Sequence, residues 1–192
     1  MIPQNILIIN QSKKEPKLFK EPRNKLQFSW SDLGDIELGR PNLGNTTNVA
    51  VYRLMQYTLR DVIIKQYDPH VASKILYDAG KSAGFNYCKN VLNTSLELNE
   101  FVAELQESLK NYGIGILRVE KIDLENNKFV LTVEEDLDCS GLPLMNETVC
   151  YYDEGFIAGI LEAYTGKPFE AKEIDCCATG DRVCRFEAYP LG

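Results

Sequence analysis

A cluster of cysteines marks the segment EIDCCATGDRVC at residues 173–184, and Cys150 lies upstream at the start of a predicted helix. Thiolates and carboxylates are ligands for zinc, which structural sites hold with four protein groups in a tetrahedron. A helix N-terminus lowers the pKa of a thiol, so Cys150 is well placed to be a thiolate. Together with Glu173, Cys176 and Cys184 it is a candidate metal site. Inert buried thiols and redox chemistry are alternatives that the spacing alone leaves open.

The candidate ligands require an irregular strand. Glu173 and Cys176 are three residues apart, which places their side chains on opposite faces of a regular β-strand. The chain must therefore bend near Asp175 if both residues bind one ion. Cys176 and Cys184 belong to two predicted strands that pair across the turn ATGD, so these two thiols can meet.

The remaining elements predict an α+β fold, with helices packed on an antiparallel sheet. Residues 1–44 are interpreted as an N-terminal arm whose segments NILIIN and KLQFSW are short strand candidates. The main domain, residues 45–192, begins with apolar residues at helical spacing. Its predicted elements are helices over about 45–67, 69–91, 98–112 and 150–164, and strands in GIGILRVEKID, KFVLTVEED, FEAKEIDC and RVCRFEAYP.

Charge and targeting signals narrow the partners. The net charge is −7 and the pI about 4.9, and an acidic chain without a basic stripe is not expected to bind nucleic acid directly. No apolar run approaches the roughly 20 residues that span a bilayer. The first residues lack the features of a signal peptide. The sequence therefore predicts a cytoplasmic protein in a reducing compartment without a membrane span.

Motifs for catalysis are weak. No G-x-G-x-x-G sequence opens a helix after a strand, and GKS at residues 80–82 is not a phosphate-binding loop because position 75 is Ile75. The adjacent carboxylates Asp153 and Glu154 should point apart on a helix, so we predict a solvated surface for them. A non-enzymatic function is favoured.

The cysteine spacing C-x22-E-x2-C-x7-C, which ends in CCATGDRVCRFE, resembles the 4-vinyl-reductase domain family. The upstream segments RPNLGNTTNVAVYRL and ILYDAGKSAGF resemble that family's helices. The likeness covers about Arg40 to Tyr189. The family includes free-standing small-molecule-binding proteins and phenol-sensing domains of transcription activators, and its fold is similar to that of vesicle-tethering subunits and haem-based nitric-oxide sensors.

The resemblance implies a closed structural Zn²⁺ site without an open position for water. Three other cysteines, Cys88, Cys139 and Cys177, match no ligand position and are expected to be plain buried or surface thiols. The positions that match the family's zinc ligands are Cys150, Glu173, Cys176 and Cys184.

The phenol sensors of this family hold a phenolic hydroxyl with a buried His and Trp, and this chain has neither residue between its third helix and the zinc cysteines. An apolar pocket is therefore expected, between the glycine-bearing second helix, the third helix and the sheet. The candidate wall residues are Tyr57, Tyr77, Gly80, Gly84, Phe85, Phe101, Leu105, Phe129, Phe156 and Ile160.

The leading hypothesis is a zinc-stabilised domain that senses or carries a small hydrophobic ligand. One alternative is an enzyme or accessory factor in tetrapyrrole vinyl reduction, as the family name implies, and another is a protein-interaction scaffold. A homodimer is expected because the strand candidates of the arm are too few to close a core of their own.

Overall fold

The computed structural model describes residues 28–192. The chain divides into two compact units, Met1–Thr46 and Thr47–Gly192, and the predicted arm falls within the first. From residue 28 onward this unit contains a 3₁₀ helix, Trp30–Leu33, and the short helix α1, Ile36–Gly39. The predicted strand NILIIN lies outside the described residues. The described end of KLQFSW leads into the 3₁₀ helix rather than forming a strand.

The second unit is α+β, as predicted. Helices α2, α3 and α4 come first, followed by a β-hairpin, helix α5 and a second hairpin. The sheet is antiparallel, with strand order β1-β2-β4-β3. The bounds are α2 Val49–Gln66, α3 Pro69–Val91, α4 Leu98–Asn111, β1 Ile116–Asp123, β2 Lys128–Glu134, α5 Tyr151–Thr165, β3 Phe169–Asp175 and β4 Cys184–Pro190.

Local sequence explains where the long helices begin and end. Asp68 caps α3 by accepting a hydrogen bond from the Val71 amide at 2.9 Å, and Pro69 occupies the first turn, where its missing N–H has no helical partner. Gly166 ends α5 in the left-handed conformation, which glycine adopts without a steric cost. These signals fix the lengths of the two helices that form the centre of the fold.

The sheet buries one face, because apolar residues alternate along its strands. Phe129, Leu131 and Val133 of β2 are buried, and Phe186 and Ala188 continue the same face on β4. Helix α5 packs on β3 and β4, and α4 packs on β1. The core therefore lies between the sheet and these two helices, and α3 covers the outer side of α5.

Paired glycines hold α3 and α5 in backbone contact. A Cβ atom at Gly80 would overlap the carbonyl of Tyr152, and one at Gly84 would overlap that of Phe156. The partners on α5 are equally constrained, since Gly155 and Gly159 face the carbonyls of Tyr77 and Lys81. The α3 glycines therefore serve helix packing.

Helix α2 presents its apolar side to solvent. The periodic residues Val51, Leu54, Met55, Leu59 and Val62 are between 47% and 67% exposed, although their spacing favours a face buried in a core. The helix contacts the rest of the unit through polar residues on its other side. No helix in the described part of the chain has the length and apolar composition needed to cross a membrane.

The glycine contact can be tested at Gly84. We expect Gly84→Ala to lower the free energy of unfolding by about 1–3 kcal/mol, because overpacking outweighs the gain in helix propensity. Ser82→Ala, on the exposed side of the same helix, is the matched control and should be neutral. Denaturant unfolding measures both, and a Gly84→Ala protein as stable as the wild type would contradict the backbone contact.

Candidate metal centre and ligand cavity

Four buried cysteine thiols converge at one end of the second unit. The sulfur atoms of Cys139, Cys150, Cys176 and Cys184 all lie within 4.8 Å of one another, and each side chain is at most 1% exposed. Every cysteine is a free thiol. The cluster brings together three residues predicted from the sequence and one, Cys139, that was expected to be a plain thiol.

Each thiol comes from a different part of the fold. Cys150 is the N-cap residue of α5, and Cys184 begins β4. Cys176 follows β3, where the β3–β4 register shifts between Glu173 and Asp175. This irregularity is the bend that the sequence required, and it leaves both Glu173 and Cys176 buried.

The sulfur spacing suits a tetrahedral metal. A zinc ion with Zn–S bonds of about 2.3 Å separates its ligand sulfurs by about 3.8 Å. The Cys150 sulfur lies 3.8 Å from that of Cys176 and 3.9 Å from that of Cys184. Cys139 and Cys184 are closer, at 3.0 Å, but this separation is far longer than a disulfide bond of about 2.05 Å. A buried cluster of this kind can bind a metal ion.

The thiols perturb one another strongly. The pKa of Cys176 is lowered because the thiols of Cys139, Cys150 and Cys184 hydrogen-bond to its thiolate. The same contacts raise the pKa of Cys150. Its place at the N-terminus of α5 provides a positive helix dipole for negative charge at this point. A metal ion bound among these thiols would stabilise their thiolate forms.

Glu173 lies beside the cluster. Its side chain is buried, its Oε2 atom accepts a hydrogen bond from the Cys150 amide at 3.3 Å, and its Oε1 atom has no partner among the described residues. Burial, followed by the proximity of Cys176, raises the pKa of Glu173 to about 8. The carboxylate is not one of the atoms that all lie within 4.8 Å of one another. An unpaired buried carboxylate next to thiols is nevertheless suited to a cation.

The loop after β2 places Cys139 in the cluster. Asp136 accepts hydrogen bonds from the amides of Asp138 and Cys139, at 2.8 and 3.1 Å, which fold the loop into a tight turn. Pairing of β2 with β4 puts Val133 opposite Cys184 and so carries the loop to the cysteines. Cys139 was not predicted to join the cluster because its position depends on pairing between strands of different hairpins.

Helix α2 forms hydrogen bonds to this loop through its polar side. Tyr52 and Gln56 donate hydrogen bonds to the Asp138 carboxylate, at 2.8 and 2.5 Å. The Arg53 guanidinium donates to the carbonyl oxygens of Leu137 and Ser140, at 2.7 and 2.9 Å. The polar residues of α2 therefore face the protein because they satisfy a buried carboxylate and backbone carbonyls.

An apolar cavity of about 50 Å³ lies between α4, α5 and the sheet. Its wall is almost entirely hydrocarbon, although Asp136 and Asp153 are among the residues that line it. The lining residues are Leu98, Phe101, Val102, Leu105, Leu109, Ile114, Gly115, Leu117, Val119, Phe129, Leu131, Val133, Asp136, Asp153, Phe156, Ile157, Ile160 and Leu161.

The predicted wall residues separate into two groups. Phe101, Leu105, Phe129, Phe156 and Ile160 all line this cavity. The others lie outside it, because the wall helix is α5 and the glycine contact leaves no space beside α3. The residues placed elsewhere are Tyr57, which donates to the Asp138 carbonyl, and Tyr77, Gly80, Gly84 and Phe85 on α3.

The solvated surface predicted for Asp153 and Glu154 is wrong. Glu154 is 4% exposed, and its Oε1 atom accepts hydrogen bonds from the Lys172 ammonium and the Glu173 amide. The Oδ2 atom of Asp153 is buried and has no hydrogen-bond partner among the described residues. Burial, then the nearby Asp136 and Asp138, raise the pKa of Asp153 well above its ordinary value. Both carboxyls are structural parts of the interior.

Helices on an antiparallel sheet, with cysteines clustered between the last helix and the last hairpin, are the features that the sequence resemblance implied. Residues 129–190 match the family model of the 4-vinyl-reductase domain. The resemblance to that family is therefore confirmed over these residues.

Two uncharacterised proteins of Methanocaldococcus jannaschii are similar in sequence. One is 32% identical over 112 residues, which cover 58% of this chain and 61% of the relative, so the match spans less than two thirds of that protein. The other is 26% identical over 145 residues, covering 76% of this chain and 79% of the relative.

Three solved structures share the fold at low sequence identity. A vinyl-4-reductase family protein from M. jannaschii has a TM-score of 0.57 at 17% identity, covering 89% of this chain and all of that one (100%). The phenol-responsive sensory domain of the transcription activator PoxR has a TM-score of 0.57 at 16% identity, covering 75% of each chain. A trafficking protein particle complex subunit 3 from Naegleria fowleri has a TM-score of 0.60 at 16% identity, covering 76% of this chain and 96% of that one.

Proposed function

We propose that this protein binds a small hydrophobic molecule in the cavity between α4, α5 and the sheet, and that it acts as a sensor or carrier. We also propose that a structural Zn²⁺ at the cysteine cluster stabilises the end of the domain where the cluster lies. The observation that carries the proposal is the cavity itself, whose wall is almost entirely apolar. Ligand sites are lined mainly by apolar groups, with a few polar groups that fix orientation.

The cavity must widen to hold a ligand. Its volume is about 50 Å³, whereas an engineered apolar cavity that binds benzene measures about 150 Å³. Side chains such as Phe101 and Leu105 on α4 would have to move. Two of the solved structures that share the fold contain a hydrophobic molecule, phenol in one and palmitic acid in the other, which supports this use of the fold.

The zinc proposal rests on the donor set. Cys150, Cys176 and Cys184 are common to the predicted ligand set and to the cysteine cluster. For the fourth ligand we favour Cys139, because its sulfur lies within the cluster while Glu173 already accepts a hydrogen bond from Cys150. A bound zinc ion would then have four protein ligands in a tetrahedron and would link the parts of the chain that carry them. Free thiols that hold such a metal suit the reducing, cytoplasmic location predicted from the sequence.

The other functions predicted from the sequence have less support. A cavity of about 50 Å³ is far smaller than a tetrapyrrole, so vinyl reduction of such a molecule would need a different binding surface. A scaffold function would use exposed apolar surface, and α2 offers one. That surface fits the predicted homodimer equally well.

Ligand binding can be tested with two matched substitutions. Phe101→Leu changes the cavity wall, so we expect it to alter the affinity for the neutral fluorophore Nile red severalfold. Phe85→Leu changes an exposed ring on α3 that is 39% accessible and should leave the affinity unchanged. Fluorescence titration measures both. Equal effects of the two substitutions, or no Nile red binding by the wild type, would contradict the proposed cavity.

Metal binding is tested by elemental analysis of the purified protein. We expect about one zinc per chain, and a chelator should lower the melting temperature because metal binding contributes folding free energy. The Cys139→Ser variant should lose more zinc than the Glu173→Gln variant does. Cys177 lies outside the cluster of four, so the control variant Cys177→Ser should retain its zinc. Greater loss in Glu173→Gln would assign the fourth ligand to the carboxylate.

A homodimer formed through α2 is the third part of the proposal. A contiguous apolar surface exposed on a protein commonly marks an interaction site, and a second copy would bring a complementary stripe. Leu59→Glu should shift the sedimentation coefficient from dimer to monomer, while Ala79→Glu, on the exposed side of α3, should not. A wild-type monomer at tens of micromolar would exclude this pairing.

A further inference from the structure

Helix α4 covers the cavity, and its two halves are attached to the rest of the fold in different ways. The C-terminal half, residues 104–111, is hydrogen-bonded to the loop after α3, to β1 and to α3 itself. The bonded pairs are Asn93 and Glu104 at 3.0 Å, Gln106 and Leu117 at 3.1 Å, and Tyr87 and Ser108 at 2.6 Å. This half of the helix is therefore held from three directions.

The N-terminal half, residues 98–103, has no such bonds. Within the described part of the chain, none of its side chains forms a hydrogen bond or an ion pair. The N-cap residue, Glu97, makes no side-chain bond to the first turn, so this end lacks the stabilisation that a capping side chain provides. At the other end, backbone amides of Gly113 and Ile114 bond to carbonyls of the last turn. The helix is therefore less stable at its beginning.

The cavity wall also comes nearer to solvent under the N-terminal half. Five α4 residues line the cavity. Leu98 and Val102 in the first half are only partly buried, whereas Leu105 and Leu109 in the second half are buried. A movement of the first half would therefore open the cavity over the shortest distance, without breaking the bonds of the second half.

One residue of α5 ties the N-terminal half of α4 to the fold. The Tyr164 ring stacks on that of Phe101, with ring centroids 3.9 Å apart and planes 14° from parallel. Its hydroxyl donates a hydrogen bond to the Leu96 carbonyl, just before α4, at 3.0 Å. Because α5 is fixed by its backbone contact with α3, Tyr164 connects a weakly attached segment to a firmly attached helix.

We infer that residues 98–103 of α4 form a lid, which opens about the C-terminal half of the helix to admit the ligand, and that Tyr164 holds this lid closed. The inference rests on the proposed function and specifies how entry to that cavity is controlled. The closed lid buries Phe101, so the closed state is favoured with or without a ligand. The bond from Tyr164 is then present in both the free and the bound protein, and its loss should change rates of binding without changing affinity.

Stopped-flow fluorescence with Nile red tests the lid. Tyr164→Phe keeps the ring but removes the hydroxyl, and a net hydrogen bond corresponds to about a two- to tenfold change in an equilibrium constant. The open fraction should rise by this factor, so the association and dissociation rate constants should both rise about two- to tenfold while their ratio stays the same. Tyr87→Phe is the matched control, because it removes the hydroxyl that bonds to the C-terminal half; it should leave both rate constants unchanged.

Hydrogen exchange of the free protein gives an arm that needs no ligand. Amides of residues 96–103 should exchange faster in Tyr164→Phe than in the wild type, by the same factor as the binding rates, because exchange reports local opening. Amides of residues 104–111 and of α5 should exchange at their wild-type rates. Mass spectrometry of peptides from these segments measures the difference.

The outcomes separate the lid from the cavity. If Nile red binds but its rate constants are unchanged in Tyr164→Phe, or rise equally in Tyr87→Phe, the lid is refuted and the cavity stands. A changed affinity with an unchanged association rate would refute it as well, because Tyr164 would then contact the ligand. If the wild type binds no Nile red, the proposed function and the entry route are both wrong. Unchanged exchange of residues 96–103 in Tyr164→Phe would refute the opening itself.

Discussion

The backbone contact between α3 and α5 is the constraint on which the other sites depend. Gly80 and Gly84 on one helix meet Gly155 and Gly159 on the other, with no room for a Cβ atom at any of them. This contact fixes the axial position and rotation of α5. The opposite face of α5 then presents Asp153, Phe156 and Ile160 to the cavity, and its first turn presents Cys150 to the thiol cluster. A shift of α5 would move the cavity wall and one thiol of the cluster together.

The loop that follows β2 connects three features that are distant in sequence. Asp136 borders the cavity and holds the turn that positions Cys139. Asp138, in the same turn, is held by Tyr52 and Gln56 of α2. Hydrogen bonds to a buried carboxylate are stronger than those between neutral groups, so these contacts join the loop to α2 and stabilise its turn.

Much of the fold could be predicted from the sequence because its elements have strong local signals. Apolar residues at helical spacing and the turns between strands indicate helices and hairpins in the order observed. The spacing of Glu173 and Cys176 required a bend if both residues bind one ion, and the structure has a register shift at that point. These inferences need only neighbours in the chain.

Features that depend on distant partners were not predictable in the same way. Cys139 reaches the cluster only because β2 pairs with β4, a contact between residues far apart in sequence. The α3 glycines indicated close approach, but the choice between a ligand and a helix required the partner to be known. The repeat of glycines four residues apart in α5 was the available signal. The apolar face of α2 points outward for a similar reason, because the polar side of the helix hydrogen-bonds to Asp138.

If a ligand binds in the cavity, this arrangement provides a physical path by which the resulting movement could reach the surface. A molecule that enters the cavity must displace side chains of α4 or α5, because the present volume of about 50 Å³ is too small for it. Helix α5 resists displacement through its backbone contact with α3, so α4 and the Asp136 loop are the parts that can move.

The Asp136 loop is hydrogen-bonded to α2, whose exposed side carries the apolar stripe. A change in the loop on ligand binding would therefore reach α2 through Asp138, while a metal ion at the cysteines would hold the other end of the same loop in place. Coupling of this kind requires two discrete loop arrangements that the ligand distinguishes.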